Sequence, residues 1–286
     1  MGKSTLMNAF VGEKIAIVSN RPQTTRNRIR SILTEEDYQI VFIDTPGLHS
    51  PKTKLGSYMV KSAKSSLSGV DVILYLVEPT AKIPTADESI LEMLAALDKS
   101  AKIILAINKS DTISKPDILL TINAYSKRFN FCDIVPVSAL KQDNVKTLLK
   151  TAVQYLPIGP KYFPDDMITD QPERQIAAEM IREKTLRFLQ DEIPHGIAVE
   201  IASMKKRPKR PLVDTQATIY CERETHKAII IGKGGEMLKK IASAARHDIE
   251  RLLDTPLNLQ IWVKVRKHWR DNDLMLRNFG YDSREL

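Results

Sequence analysis

The feature that most restricts the fold is an alternation, across the first half of the chain, of short apolar runs with stretches of helical spacing. Residues 39–43, 70–77, 103–107 and 134–137 are apolar runs of strand length. Between them, residues 87–97, 116–129 and 144–155 place apolar side chains nearer every 3.6 positions, the period of a helix with one buried face. Strands separated by helices are joined by crossovers and therefore run parallel, so this half predicts an α/β domain with a mostly parallel sheet. One departure is expected. Residues 28–33 and 39–43 flank the polar turn 34–38, which predicts an antiparallel hairpin at one end of the sheet.

The pattern stops at residues 156–172, where Pro157, Pro160, Pro164 and Pro172 stand among polar residues and no period survives. An amphipathic helix is expected at 173–189, strands at 197–201 and 217–221, a glycine-rich turn, a long helix at 236–253 and a strand at 257–265. The expected organisation is thus an α/β domain over 1–156, a linker over 157–172 and a smaller α+β domain over 173–286. A chain of 286 residues has room for two such cores.

The formal net charge of +8 suggests an anionic partner, yet the two halves barely differ. Residues 1–159 hold 20 basic against 15 acidic side chains, and residues 160–286 hold 23 against 20. Any nucleic-acid interface must therefore rest on local basic runs. Cys132 and Cys221 lie far apart with no neighbouring metal-ligand pattern, which argues against a zinc site or a disulfide framework. No apolar run reaches the ~18 residues of a membrane-spanning helix. A soluble, cytoplasmic protein is expected.

The residues that carry chemistry stand at the carboxyl ends of the expected strands, where open α/β sheets bind ligands. The chain opens Met1-Gly2-Lys3-Ser4-Thr5 and leads into a helical stretch. This matches the end of a phosphate-binding loop, in which backbone N–H groups and the helix N-terminus cradle phosphates, Lys3 reaches the β- and γ-phosphate oxygens and Ser4 holds Mg²⁺. The first glycine of that motif would precede Met1, so the reading is of a domain lacking its first strand and part of the loop. Asp44-Thr45-Pro46-Gly47 follows the second run, where the carboxylate can support Mg²⁺ through water and the Gly47 N–H can meet a γ-phosphate. Asn108-Lys109-Ser110-Asp111 ends the run 103–107, and Asp111 can accept two hydrogen bonds from guanine that adenine does not offer. Ser138-Ala139 ends the next run, with backbone N–H groups placed for the guanine carbonyl. Each motif alone could be an ordinary turn; four in this order point to a guanine nucleotide.

On these motifs the chain resembles the small GTPases of the TrmE, Era, EngA and YihA group. The resemblance implies that a threonine between the phosphate loop and Asp44 completes the Mg²⁺ shell, and Gln23-Thr24-Thr25-Arg26 falls in that interval. Thr25 is the first choice, with Thr24 as alternative. The catalytic set is then Lys3, Thr25, Asp44 and Gly47. Leu48 stands where related enzymes carry a water-positioning glutamine, and an apolar side chain cannot orient water, so slow hydrolysis is expected. In the resembling group a phosphate-loop asparagine recruits K⁺ for that purpose; its position falls immediately before Met1.

In the second half, Gly232-Lys233-Gly234-Gly235 precedes the long helix and has the form of the GxxG loop of a KH module, where small residues let backbone and ammonium approach four nucleotides. Lys205-Lys206-Arg207-Pro208-Lys209-Arg210 adds five cations in six residues, either a phosphate contact or a solvated hairpin tip. Trp262, on an apolar strand, and Trp269 are both expected in the core rather than stacked on bases. His195, His226 and His247 have no matching catalytic partner.

The pairing of this GTPase pattern with a KH module of the prokaryotic order narrows the resemblance to the Era family. It implies hydrolysis of GTP to GDP with Mg²⁺, binding to the 3′ end of small-subunit ribosomal RNA and to the 30S-type subunit, and assistance in its assembly. It also implies a monomer with a peripheral membrane contact. One departure is visible: Gln142 replaces the glycine of the family's SAxxGxN pattern, which would stiffen the base-binding loop. The rival reading is an RNA-binding protein whose shortened nucleotide domain is inactive.

Overall fold

The computed structural model describes residues 1–19, 21, 24–48, 51–97, 101–190 and 193–285. Pro22 and Gln23, part of the expected polar loop, lie outside the described residues. In chain order the elements are α1 (Lys3–Val11), β1 (Ile29–Thr34), β2 (Gln39–Asp44), α2 (Lys54–Ser65), β3 (Val72–Val77), α3 (Thr85–Ala95), β4 (Lys102–Ile107), α4 (Lys115–Arg128), β5 (Asp133–Pro136) and α5 (Val145–Val153). They continue as α6 (Glu173–Phe188), β6 (Ala198–Lys206), β7 (Val213–Cys221), α7 (Glu224–Ile231), α8 (Glu236–Leu253), β8 (Leu257–Val265) and α9 (Asp273–Asn278). Two compact units result. The first joins Met1–Glu13, Arg28–His49 and Ala63–Asp170; the second joins Lys14–Asn27, Ser50–Ser62 and Gln171–Leu286.

In the first unit, β3, β4 and β5 form a parallel sheet with β4 in the middle. Ile104, Leu105, Ala106 and Ile107 are fully buried, because a central parallel strand is covered on both faces and must be apolar throughout. Leu6 and Phe10 of α1 pack with Leu148 and Ala152 of α5 on one face, and Leu91 and Leu94 of α3 with Tyr125 of α4 on the other. The expected hairpin is present, with β1 and β2 paired antiparallel from Ile29↔Asp44 to Thr34↔Gln39. It hydrogen-bonds as a two-stranded sheet of its own rather than as the end of the parallel sheet.

The proline-rich stretch is not loose within this unit. The Gln39 amide accepts from the N–H groups of Tyr162 and Phe163 and donates to the Phe163 carbonyl, the Ile32 N–H donates to the Ile168 carbonyl at 2.8 Å, and Arg30 pairs with Asp170 at 2.5 Å. Prolines remove donors but leave carbonyls, and the hairpin supplies the partners.

In the second unit, β6 and β7 are antiparallel, and β8 joins β7 in parallel. Helices α6 and α8 cover one face, with Met180, Ile181, Ile241 and Ile249 against Ala217, Ile219 and Val263. On β8 the residues Leu257, Leu259, Ile261, Val263 and Val265 belong to that core. Strict two-residue alternation then turns Trp262 to the other face, where it is 46% exposed, and the expectation of a core tryptophan is wrong there. Trp269 is fully buried as expected; its indole N–H donates to the Gly196 carbonyl at 2.9 Å, and Leu55, Tyr58 and Met59 of α2 share its cluster.

Lys14, Thr24 and Arg26 are tied within the second unit by charged groups. Arg26 is 2% exposed and donates to the carbonyls of Ile197 at 2.6 Å and His195 at 2.9 Å. Arg182, fully buried on α6, pairs with Glu179 at 2.6 Å and donates to the Thr24 carbonyl. Lys14 meets Glu183 at 2.8 Å and Asp248 at 2.7 Å, and Lys184 bonds to the same two carboxylates. Burial alone would push the Asp248 carboxyl up, but the two ammonium groups outweigh it and hold the group below its ordinary value.

The contrast between the tryptophans is measurable. Trp269→Ala is expected to cost about 3–5 kcal/mol of unfolding free energy, and Trp262→Ala less than about 0.5 kcal/mol. Denaturant titration followed by circular dichroism checks this, and equal losses would contradict the packing described.

Candidate functional site

Helix α1 begins at Lys3, and Gly2 before it holds φ 80°, a left-handed turn that a side chain would strain. Space forbids one as well: a Cβ on Gly2 would lie 2.5 Å from Nδ2 of Asn108. The turn therefore aims the first free N–H groups of α1 outward, as an anion site requires. Ser4, in the first turn, is buried and donates from Oγ to Oδ2 of Asp44 at 2.6 Å. Asp44 ends β2 and is itself buried. Gly47, three residues on, lies close enough to Lys3 that a Cβ there would sit 3.9 Å from its Nζ. Thus Gly2, Lys3, Ser4, Asp44 and Gly47 are brought together, with Thr5, Thr45 and Pro46 carried on the same two segments.

Asn108 follows β4 and is almost fully buried. Its Nδ2 donates to the Met1 carbonyl at 2.7 Å, and its Oδ1 accepts from the Ala139 N–H at 2.9 Å. One amide thereby ties the loop before α1 to the loop after β5. The Ser138 N–H donates to the Asp143 carbonyl at 3.0 Å, and the Ser138 hydroxyl accepts from the Lys141 N–H. The N–H groups expected to face a base carbonyl are thus both engaged internally. Gln142 and Asn144 hold φ 57° and 54° in this loop, so the position where glycine was expected does require left-handed backbone, which glutamine adopts at a cost.

Lys109 holds φ 63°, and its ammonium pairs with Glu78 at 2.5 Å, which keeps that carboxyl below its ordinary value. Glu78 follows β3 with no motif around it, and sequence reasoning missed it. Asp111 sits in the short turn Ser110–Thr112, exposed, with no side-chain partner among the described residues.

Thr25 is buried and belongs to the second unit, whereas Ser4 and Asp44 belong to the first. Thr24 donates from its hydroxyl to the Arg21 carbonyl at 2.6 Å. Leu48 is half-buried.

In the second unit, Gly232, Gly234 and Gly235 connect α7 to α8 and hold φ 75°, 60° and 83°. Gly232 is required by packing, since a Cβ there would lie 2.8 Å from that of Met237. Gly234 and Gly235 face open space, and Lys233 between them and Gly232 is exposed. This leaves backbone and ammonium accessible at the start of the long helix. The run 205–210 is exposed at the β6–β7 tip. Lys205 and Lys206 make no ion pair among the described residues, but Arg207 chelates Asp214 at 2.6 and 2.7 Å and is already neutralised.

Residues 1–109 match the family described as 50S ribosome-binding GTPase, and residues 192–270 match the KH domain. The chain is 53% identical to GTPase Era of Clostridium kluyveri over 281 residues, covering 98% of this chain and 95% of that protein. It is also 53% identical to GTPase Era of Clostridioides difficile, over 99% of this chain and 95% of that one. Among solved structures, an Aquifex aeolicus Era variant bound to GDP·AlF4⁻ superposes with a TM-score of 0.93 at 40% identity, covering 98% of this chain and 95% of that one. Era in complex with MgGDPNP and nucleotides 1506–1542 of 16S ribosomal RNA gives 0.94 at 40% identity, over 98% and 94%. A phosphate-loop domain with a parallel sheet, joined to a KH domain and this similar to GTPase Era along nearly its whole length, places the chain in the Era family of GTPases.

Proposed function

We propose that this chain hydrolyses GTP with Mg²⁺ and uses the bound nucleotide to govern its binding to the 3′ end of small-subunit ribosomal RNA during assembly of the small ribosomal subunit, in the cytoplasm. The observation that carries the nucleotide reading is the Asn108 amide, which joins the phosphate loop to the loop after β5 and so assembles separate motifs into one site. The RNA reading is supported by the open GxxG turn and by the relative that holds 16S ribosomal RNA together with MgGDPNP. Residues 1–156 then serve as the nucleotide domain, 157–172 as the linker and 173–286 as the KH domain.

In this mechanism Lys3 and the N-terminus of α1 stabilise phosphate charge, and Asp111 reads guanine beside Asn108, Lys109, Ser138 and Ala139. The Ser4 hydroxyl and Asp44 carboxylate, in contact at 2.6 Å, are the hard oxygen donors that Mg²⁺ takes, and Thr25 joins them. Held there, Mg²⁺ would supply positive charge that offsets the charge of the phosphate oxygens. The Gly47 N–H meets the γ-phosphate, while the Leu48 side chain leaves the attacking water unoriented and turnover slow. The described residues of 14–27 and 51–62 come after α1 and the Asp44–Gly47 motif in the chain and belong to the second unit. A shift of Thr25 or Gly47 on loss of the γ-phosphate is thereby passed along the backbone into the RNA-binding unit. Gly232, Lys233, Gly234 and Gly235 bind RNA there, with Lys205 and Lys206 as a further phosphate contact, while Arg207 of the same run is taken up by Asp214.

Asp111→Asn is expected to lower affinity for GDP at least about tenfold, since a charge-assisted bond contributes ~1.5–3 kcal/mol, and to shift preference toward xanthine nucleotides. Fluorescent-nucleotide titration reads this, and unchanged GTP affinity would contradict the assignment. Gly234→Asp, whose Cβ would meet open space and whose side chain is among the few that tolerate the φ of 60° there, should weaken binding to single-stranded ribosomal RNA by placing a carboxylate against phosphates. An unaltered affinity at fixed salt would count against the KH reading.

A further inference from the structure

The KH sheet has a second face, opposite α6 and α8, that the GxxG reading does not use. Register places Gln216 beside Gln260, Thr218 beside Trp262 and Tyr220 beside Lys264 on it. Trp262 is 46% exposed, and Gln216, Gln260 and Lys264 are exposed around it. Among the described residues no ring or cation is found stacked on its indole, and about half of the residue is open to solvent. Strand β6 brings Lys205 to the same face, beside Asp214.

The two carboxylates here are already occupied. Glu200 accepts from the Tyr220 hydroxyl at 2.7 Å, and Asp214 is held by Arg207 and by Asn258 at 2.7 Å. Arg207 and Asn258 keep the Asp214 carboxyl down at about 2, charged at every physiological pH and committed to its partners. Lys264 and Lys205 make no ion pair among the described residues, so the face carries free positive charge at both ends of a polar strip. On one strand, Lys264 lies about 7 Å from Trp262 along the chain direction.

We propose that this face is a second single-stranded RNA platform, on which an unpaired base stacks on Trp262 while Lys264 and Lys205 hold flanking phosphates and Gln216 and Gln260 meet base edges. The inference rests on the reading of the chain as an RNA binder and extends it to a surface outside the GxxG turn. A protein partner is disfavoured by the surroundings of the indole. An apolar docking patch is contiguous, whereas the exposed neighbours of Trp262 are amides and an ammonium. An aromatic ring flanked by cations is the pattern that single-stranded nucleic acid selects.

The test compares the full chain with Trp262→Ala, Trp262→Phe, Lys264→Gln and Gly234→Asp, by fluorescence anisotropy with single-stranded oligoribonucleotides of about four and about twelve nucleotides. The shorter one fills a GxxG groove alone. Trp262→Ala is expected to weaken the longer RNA by about 5- to 150-fold, the contribution of one stacked base, and to leave the shorter one unchanged. Trp262→Phe should restore most of the loss, and Lys264→Gln should reduce the salt slope for the longer RNA by about 0.7. Equal affinity of wild type and Trp262→Ala for the longer RNA, with Gly234→Asp still weakened, overturns the platform and leaves the KH reading standing. Absence of binding by wild type to either RNA overturns both. A Trp262-dependent rise in molecular mass without any effect on RNA affinity would assign the face to a second copy of the chain and overturn the proposal.

Discussion

Two buried arginines set the terms for the rest of this molecule. Arg26 and Arg182 are both essentially inaccessible, and a guanidinium removed from water is tolerated when most of its donors find acceptors. The acceptors lie close by in the second unit: the carbonyls of His195 and Ile197 for Arg26, and Glu179 with the Thr24 carbonyl for Arg182. Together with Lys14 and Lys184 on Glu183 and Asp248, they anchor Lys14, Thr24 and Arg26, which stand in the sequence between the phosphate loop and Asp44. Freeing these residues would strand several buried charges at once. They are therefore held with α6 and α8, and a nucleotide-dependent change that reaches Thr25 acts on a body rather than on a loop.

The nucleotide half was readable because its constraints are local. A parallel sheet needs uninterrupted apolar strands, and the runs at 103–107 and 134–137 could be nothing else; the polar residues just past them then had to be loops at one edge. What the sequence could not display was how those loops brace each other. Asn108 fits its motif as a base contact on paper, yet its amide is spent on Met1 and Ala139, which only three-dimensional proximity reveals. Glu78 was invisible for the same reason: a single acid after a strand has meaning only once Lys109 is seen beside it.

In the second half, the tryptophans show where composition misleads. The run Ile261-Trp262-Val263 looks continuously apolar, but the register set by Leu257, Leu259, Ile261, Val263 and Val265 leaves no inward place for an even-numbered residue. Parity, had it been weighed above hydrophobicity, would have turned Trp262 outward. Helix α2 escaped notice because its apolar face, Leu55, Tyr58 and Met59, is short and closes on Trp269, some two hundred residues away in the chain, rather than on its neighbours. The glycines of the GxxG turn were legible as a motif, but only the geometry separates Gly232, which packing demands, from Gly234 and Gly235, which face open space.

The proposed mechanism requires coupling between the nucleotide site and the RNA-binding unit. It is tested most directly by measuring the affinity of the full chain for a single-stranded 3′-end fragment of small-subunit ribosomal RNA, at fixed salt and Mg²⁺, with saturating GDP and with a non-hydrolysable GTP analogue. Coupling between two sites is typically worth 5- to 150-fold, so binding at least about fivefold tighter in the triphosphate state is expected, with the same factor appearing in the preference for the analogue over GDP when RNA is added. Equal RNA affinity in the two nucleotide states would contradict it.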